Sequence, residues 1–211
     1  MTSIRSDIYE NILKSYCPDI VLSKLYRRRE QQIEVEAKSA RGACLLADIS
    51  GFTKLSGQLC SNGVRGLDDL RQVTSNFLSK FITLVYAFGG DVVSFAGDAL
   101  VCIFWCDNLV SLEEDQRVCK NAVECGYLLK EHCTDQLTAH IAISLGELCF
   151  SFLGGYNNDW VYVVNGKCMA ELSTCIEDAA SKELVITSDC FCSLDREFIS
   201  NLTFTRLESK N

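Results

Sequence analysis

Two aspartates, Asp48 and Asp98, are the residues of this sequence whose type and surroundings suggest chemistry. Asp48 lies in the segment ACLLADISGFT (residues 43–53), and Asp98 lies in the segment FGGDVVSFAGDAL (residues 88–100). Each aspartate follows a short apolar run and lies beside a glycine. A carboxylate at the end of a strand, next to a glycine turn, is placed where a divalent cation and backbone amides can meet a polyphosphate. The pair therefore predicts a shared metal site.

The residues after Asp48 suggest a second part of such a site. Ser50, Gly51, Phe52 and Thr53 form a turn that leads into a predicted helix, and the free amides of a helix N-terminus suit phosphate. A plainer interpretation is that Asp48 is a helix N-cap and that Asp98 is a hairpin-turn residue. Spacing alone leaves both interpretations open.

The elements that would position these residues can be predicted from hydrophobic periodicity and from breaks at glycine. Residues 1–40 are predicted to be a lead-in segment, and residues 41–211 a single domain. The predicted strands are Gly42–Ala47, Asp91–Phe95, Ala99–Trp105, Thr138–Leu145, Leu148–Leu153, Trp160–Val164, Leu184–Thr187 and Leu202–Leu207. The predicted helices are Thr53–Cys60, Asp68–Phe88, Glu113–Cys133 and Lys167–Ala180.

This order of elements predicts an α+β fold with a ferredoxin-like βαββαβ core. We expect a mainly antiparallel sheet with helices packed on one face, followed by a C-terminal αβ extension. In that arrangement the first strand is adjacent to the hairpin that contains Asp98. Asp48 and Asp98 are therefore expected on neighbouring strands.

Composition excludes several classes of partner. With 20 Lys and Arg against 28 Asp and Glu, the net charge is −8, so we expect no nucleic-acid partner. No apolar run approaches the roughly 20 residues that a membrane-spanning helix needs. The polar and acidic first ten residues do not resemble a signal peptide.

The cysteines point to a reducing compartment. There are thirteen, and none forms a Cys-x-x-Cys pair. Most lie in apolar segments, which is typical of buried free thiols rather than of a disulfide framework or a zinc site. We therefore expect a cytoplasmic protein.

The two aspartate segments, in this order and at this separation, resemble the catalytic domain of class III nucleotidyl cyclases. The greatest similarity is to the first (C1) catalytic domain of bicarbonate-responsive soluble adenylyl cyclases, over about residues 40–190. The resemblance implies that Asp48 and Asp98 hold two Mg²⁺ (or Mn²⁺) ions, assisted by the carbonyl of Ile49. It further implies that residues 50–53 bind the phosphates of ATP.

In that family two homologous domains pair head to tail, and ATP binds at their interface. The ribose 3′-oxygen attacks the α-phosphorus, which yields cyclic AMP and pyrophosphate. A complete site also contains a base-reading lysine, a second polar base reader, and an asparagine and an arginine that stabilise the transition state. The corresponding residues of this chain are Ser94, Val163, Ala170 and Ser173.

These four residues predict that no complete catalytic set exists in this chain. Valine offers no side-chain hydrogen bond to a base, and serine does not replace a guanidinium group. In paired cyclases the C1 half keeps the metal aspartates while a C2 half supplies the other groups. We therefore expect the isolated chain to be nearly inactive and to act with a C2-type domain.

Two interpretations of the resemblance remain. The chain is either such a C1-type half or a catalytically inactive cyclase-homology module that dimerises and regulates a partner. An unrelated ferredoxin-like domain would require both aspartate segments to match by coincidence. A GGDEF-type diguanylate cyclase is disfavoured because Gly89-Gly90-Asp91 is not followed by Glu-Phe.

Overall fold

The structure, a computed structural model, describes residues 17–27, 34–105 and 111–207. The strands are β1 (Glu36–Ser50), β2 (Asp91–Ala96), β3 (Ala99–Trp105), β4 (Thr138–Gly154), β5 (Trp160–Asn165) and β6 (Leu184–Ile186). The α-helices are α1 (Asp19–Arg27), α2 (Phe52–Cys60), α3 (Val64–Ala87), α4 (Leu112–Glu131), α5 (Lys167–Asp178), α6 (Ser188–Ser193) and α7 (Arg196–Ser200), and a 3₁₀ turn covers Tyr156–Asn158. Among these described helices, none combines the length and the apolar character that crossing a bilayer requires.

The chain divides into two compact units. The larger unit consists of Ala40–Leu148 and Asn165–Asn211, and the smaller unit consists of Met1–Ser39 and Cys149–Val164. In the larger unit the strands lie in the order β2-β3-β1-β4, and β6 runs parallel to β4. The pairs β1–β3 and β2–β3 are antiparallel. The predicted α+β fold with a mainly antiparallel sheet is confirmed.

Alternation along β1 explains how the core of the larger unit forms. Successive side chains of a strand point to opposite faces, so every second residue of an apolar strand can enter the same core. On β1 these are Ala43, Leu45, Ala47 and Ile49, all buried. They share one apolar cluster with residues of α3 and α4 that recur at helical spacing. The α3 and α4 residues of this cluster are Phe77, Phe81, Val85, Val118, Cys119, Ala122, Val123, Cys125 and Leu129.

Strand β4 differs from the prediction. The expected break around Gly146 is absent, because one strand of 17 residues runs from Thr138 to Gly154. A Cβ atom at Gly146 would lie 3.0 Å from the Cβ atom of Cys168 in the first turn of α5. This glycine therefore allows a helix to approach the strand closely, and it does not end the strand. The prediction of two strands was wrong for this reason.

The C-terminal part of the larger unit also differs. The predicted strand Leu202–Leu207 is wrong, because residues 203–207 have no regular structure. The two short helices α6 and α7 precede it, and the side chain of Asp195 caps α7 by accepting a hydrogen bond from the Phe198 amide. Leu202 and Phe204 pack against the core cluster without strand pairing. Apolar side chains thus cover the core here through helix and loop packing.

Candidate functional site

The strand register brings the two aspartates together. Asp48, near the end of β1, is paired with Ala99 at the start of β3. Asp98 directly precedes Ala99. Paired residues of antiparallel strands have Cα atoms about 4.5–5.5 Å apart, and consecutive Cα atoms are about 3.8 Å apart. The Cα atoms of Asp48 and Asp98 are therefore separated by no more than about 9 Å.

The hairpin turn presents Asp98 to solvent. Ala96 and Ala99 are the last paired residues of β2 and β3, which leaves Gly97 and Asp98 as the two turn residues. Gly97 has a φ of 68°, as a two-residue hairpin with glycine at its first central position requires. Asp98 is exposed, whereas Asp48 is partly buried. The turn thus fixes the backbone and leaves the carboxylate accessible.

The two carboxylates fit a divalent cation. Within the described part of the chain, neither aspartate forms an ion pair or a side-chain hydrogen bond, so no protein cation neutralises either carboxylate. The side chain of Ile49 is fully buried, which anchors the backbone beside Asp48. No cluster of three His, Cys, Asp or Glu side chains occurs among the described residues. Mg²⁺ is commonly bound by one or two carboxylates plus substrate phosphates, and this donor set matches that pattern.

The N-terminus of α2 follows directly and has free amide groups. Gly51 precedes the helix with a φ of 106°, and no side chain caps the helix. The amide of Leu55 donates to the carbonyl of Gly51, so the amides of residues 52–54 have no partner within the helix. Backbone N–H groups and the helix dipole at such an end favour an anion.

We expect Gly51→Ala to destabilise the protein by about 1–3 kcal/mol, since the left-handed φ strains any L side chain. The new Cβ atom would also lie 2.1 Å from the backbone oxygen of Gln136, so the turn must shift. The matched control is Gly57→Ala within the same helix, where a Cβ atom meets nothing within 4 Å. Thermal unfolding of the two variants should show a lower Tm for Gly51→Ala and an unchanged or higher Tm for Gly57→Ala. Equal Tm values would contradict this account of the turn.

An open groove lies beside this helix end, and Arg71, which the sequence analysis did not name, is one of its lining residues. Its volume is about 500 Å³, and it lies between α2 and α3. Its lining residues are Phe52, Thr53, Ser56, Leu67, Leu70, Arg71, Thr74 and Ser75. Among these lining residues, Arg71 is the positively charged one. Residues 67, 70, 71 and 74 recur at intervals of three and four, so the periodicity of α3 could have placed Arg71 on this face.

The four positions predicted to lack the catalytic groups of the family lie on three elements. Ser94 lies on β2, immediately after an irregularity in its pairing with β3, and is exposed. Ala170 and Ser173 lie three residues apart on the exposed side of α5, whereas Cys168, Leu172 and Cys175 form its buried side. Val163 lies on β5 in the smaller unit and is partly buried. None of these positions has a cationic or carboxamide side chain.

Comparison with curated proteins finds relatives at low identity. No protein-family model matches the chain. The chain is 20% identical over 192 residues to adenylate cyclase type 10 of Rattus norvegicus. This alignment covers 89% of this chain and 12% of the relative. It is 23% identical over 167 residues to adenylate cyclase type 10 of Homo sapiens, and this alignment covers 75% of this chain and 10% of the relative. The chain thus spans about a tenth of the length of these relatives.

Comparison with solved structures identifies the fold. The adenylyl cyclase CyaB from P. aeruginosa superposes with a TM-score of 0.62 at 19% identity, covering 75% of this chain and 82% of CyaB. A class III adenylyl cyclase-like ATP-binding protein from Pseudomonas aeruginosa superposes with a TM-score of 0.61 at 19% identity. The superposition covers 76% of this chain and 36% of that protein. The guanylate cyclase domain of RhGC from Catenaria anguillulae, solved in complex with GTP, superposes with a TM-score of 0.57 at 15% identity. The superposition covers 74% of this chain and 83% of that domain. The predicted resemblance to class III cyclase catalytic domains is confirmed, and the fold is that of these domains.

Proposed function

We propose that this chain is the C1-type half of an adenylate cyclase, which converts ATP to cyclic AMP and pyrophosphate together with a C2-type domain. The observation that supports the proposal most is the pairing of Asp48 with Ala99. It implies that the Cα atoms of Asp48 and Asp98 are no more than about 9 Å apart. The free amides at the start of α2 directly follow this pair along the chain. A purely structural module of this fold would need neither carboxylate.

The chain's own residues would have three roles. Asp48 and Asp98, with the carbonyl of Ile49, would hold two Mg²⁺ or Mn²⁺ ions. When bound, these ions supply charge neutralisation of the triphosphate and activation of the ribose 3′-hydroxyl. The turn Ser50–Gly51 and the first amides of α2, at Phe52 and Thr53, would donate hydrogen bonds to phosphate oxygens. In phosphoryl chemistry of this kind, positioning and electrostatic stabilisation provide most of the rate increase.

The absent groups make a partner domain part of the proposal. Ala170 and Ser173 replace the family's asparagine and arginine, so this chain supplies no guanidinium for the transition state at that position. A homodimer of this chain would lack these groups at both sites. A C2-type domain, on the same natural chain or on another, would provide them at a shared interface. ATP is proposed over GTP because the curated relatives are adenylate cyclases.

The test is cyclic AMP production with Mg²⁺ or Mn²⁺, by the chain alone and by the chain mixed with a C2-type cyclase domain. We expect little product from the chain alone, because the loss of one preorganised donor costs about two to three orders of magnitude in rate. The mixture should produce cyclic AMP at a rate that depends on both components. Strong activity of the isolated chain would contradict the half-site assignment.

The second candidate is a catalytically inactive cyclase-homology module that binds nucleotide or a second domain and regulates it. The four substituted positions favour this alternative, and one structural neighbour is described as an adenylyl cyclase-like ATP-binding protein. Calorimetric titration with Mg-ATP separates the two candidates. Nucleotide binding without cyclic AMP in any mixture would support the regulatory module.

The location proposed for this reaction is the cytoplasm. All twelve cysteines among the described residues are free thiols, which is typical of a reducing compartment.

A further inference from the structure

Two buried cysteines from distant parts of the larger unit meet at the start of α5. The sulfur atoms of Cys44 on β1 and Cys168 on α5 are 2.9 Å apart, although 124 positions separate the two residues along the chain. Both side chains are fully buried. Two carbon atoms in optimal van der Waals contact are roughly 3.5–4.0 Å apart, and sulfur is larger than carbon, so the two sulfur atoms are in close contact. The distance between them is longer than the about 2.0 Å of a disulfide bond, so the pair is two thiols in direct contact.

Neighbouring residues hold this contact in place. Cys44 alternates with Ala43 and Leu45, so its side chain points away from the core cluster that those residues enter. The hydroxyl of Ser144 on β4 donates a 2.7 Å hydrogen bond to the backbone carbonyl of Cys168. Gly146, also on β4, has no side chain to obstruct Cys168. The first turn of α5 is therefore fixed against β1 and β4 with one sulfur facing the other.

The two sulfurs are chemically unequal. The contact with Cys44 lowers the pKa of Cys168, and the positive charge of Arg41 lowers it further, against the raising effect of burial. The same contact and burial raise the pKa of Cys44 well above its usual value. Cys168 is thus the more readily ionised sulfur of the pair. A thiolate in contact with a second thiol is the arrangement from which disulfides form.

We propose that Cys44 and Cys168 are a peroxide-sensitive modification site that forms a reversible intramolecular disulfide bond. Hydrogen peroxide, which is small enough to enter during local opening, oxidises the Cys168 thiolate to a sulfenic acid, and the peroxide is reduced to water. The Cys44 sulfur then attacks the sulfenic sulfur. The S–S bond forms, the S–O bond breaks, and a second water leaves. A dithiol reductant reverses the reaction by thiol–disulfide exchange.

The bond would join the first turn of α5 to β1, the strand that contains Asp48. Because it closes a loop of more than 100 residues, it should restrict the unfolded chain strongly. We expect the Tm of the oxidised protein to exceed that of the reduced protein by roughly 5 °C or more. The difference should disappear after treatment with dithiothreitol.

The test is peptide mapping of the purified chain after native exposure to hydrogen peroxide, with free thiols alkylated on denaturation. We expect a non-reduced crosslinked peptide containing Cys44 and Cys168, with a mass lower by two hydrogen atoms. Cys44→Ala and Cys168→Ala should abolish it, whereas Cys102→Ala, at an equally buried position on β3, should retain it. The mapping of the unsubstituted chain decides the proposal even if a variant fails to fold. Oxidation confined to other cysteines, or a crosslink only between other pairs, would overturn it.

Discussion

Replacing Asp98 with asparagine should lower cyclic AMP formation by the chain and its C2-type partner at least about a hundredfold. Asparagine keeps the size of the side chain and suits a turn, so the hairpin between β2 and β3 should persist. It removes the negative charge that would hold the metal ion against the triphosphate. Asp98 is exposed, so this loss should not reduce the stability of the fold. The measurement is the initial rate at saturating Mn-ATP, with Tm recorded for the same sample.

The expected result for Asp48→Asn is similar, because Asp48 is the other half of the same pair. The matched control is Asp69→Asn, which removes an exposed carboxylate from α3 at a position outside the groove lining. It should leave the rate within about twofold, since an exposed single charge contributes little at a distance. Cyclic AMP production that survives both Asp48→Asn and Asp98→Asn would refute the metal assignment.

The parts of the fold that were predictable from the sequence are those with strong local periodicity. The hairpin was recognisable because Gly97 and Asp98 interrupt two apolar runs, and its strands match the prediction to within one residue. Helices α3 and α4 follow from apolar residues at intervals of three and four. The proximity of Asp48 and Asp98 then follows from strand order alone. This part of the candidate site was therefore accessible without a structure.

The remaining features depend on contacts between distant segments. Gly146 resembled a strand break, but its cause is the close approach of α5, which local sequence does not reveal. Gly51 resembled an ordinary turn glycine, yet the backbone of Gln136 lies against it. The groove that contains Arg71 requires α2 and α3 to face each other. Likewise, the Cys44–Cys168 contact joins positions that no spacing rule connects. Tertiary packing determines all of these features.

Restoring the absent groups should convert the half-site into a self-sufficient one. We expect the combined change Ser94→Lys, Ala170→Asn and Ser173→Arg to raise cyclic nucleotide formation by the isolated chain about a hundredfold or more. All three positions are exposed, so larger side chains meet no core residue there. Arginine is also a good helix former, which suits position 173 within α5. Because Val163 would still offer no hydrogen bond to a base, we expect the triple variant to form cyclic nucleotide at similar rates from ATP and from GTP.

The control for this gain is the same triple variant with Asp98→Asn added. If the new groups act at the proposed metal site, the fourth change should return the rate to that of the unsubstituted chain. Sedimentation analysis should accompany the assay, because a site completed by a second copy requires a dimer. A dimeric triple variant without any gain in activity would show that Ser94, Ala170 and Ser173 do not occupy the proposed positions. A gain in activity that persists with Asp98→Asn would instead show that the three introduced side chains act independently of the proposed metal-binding aspartates.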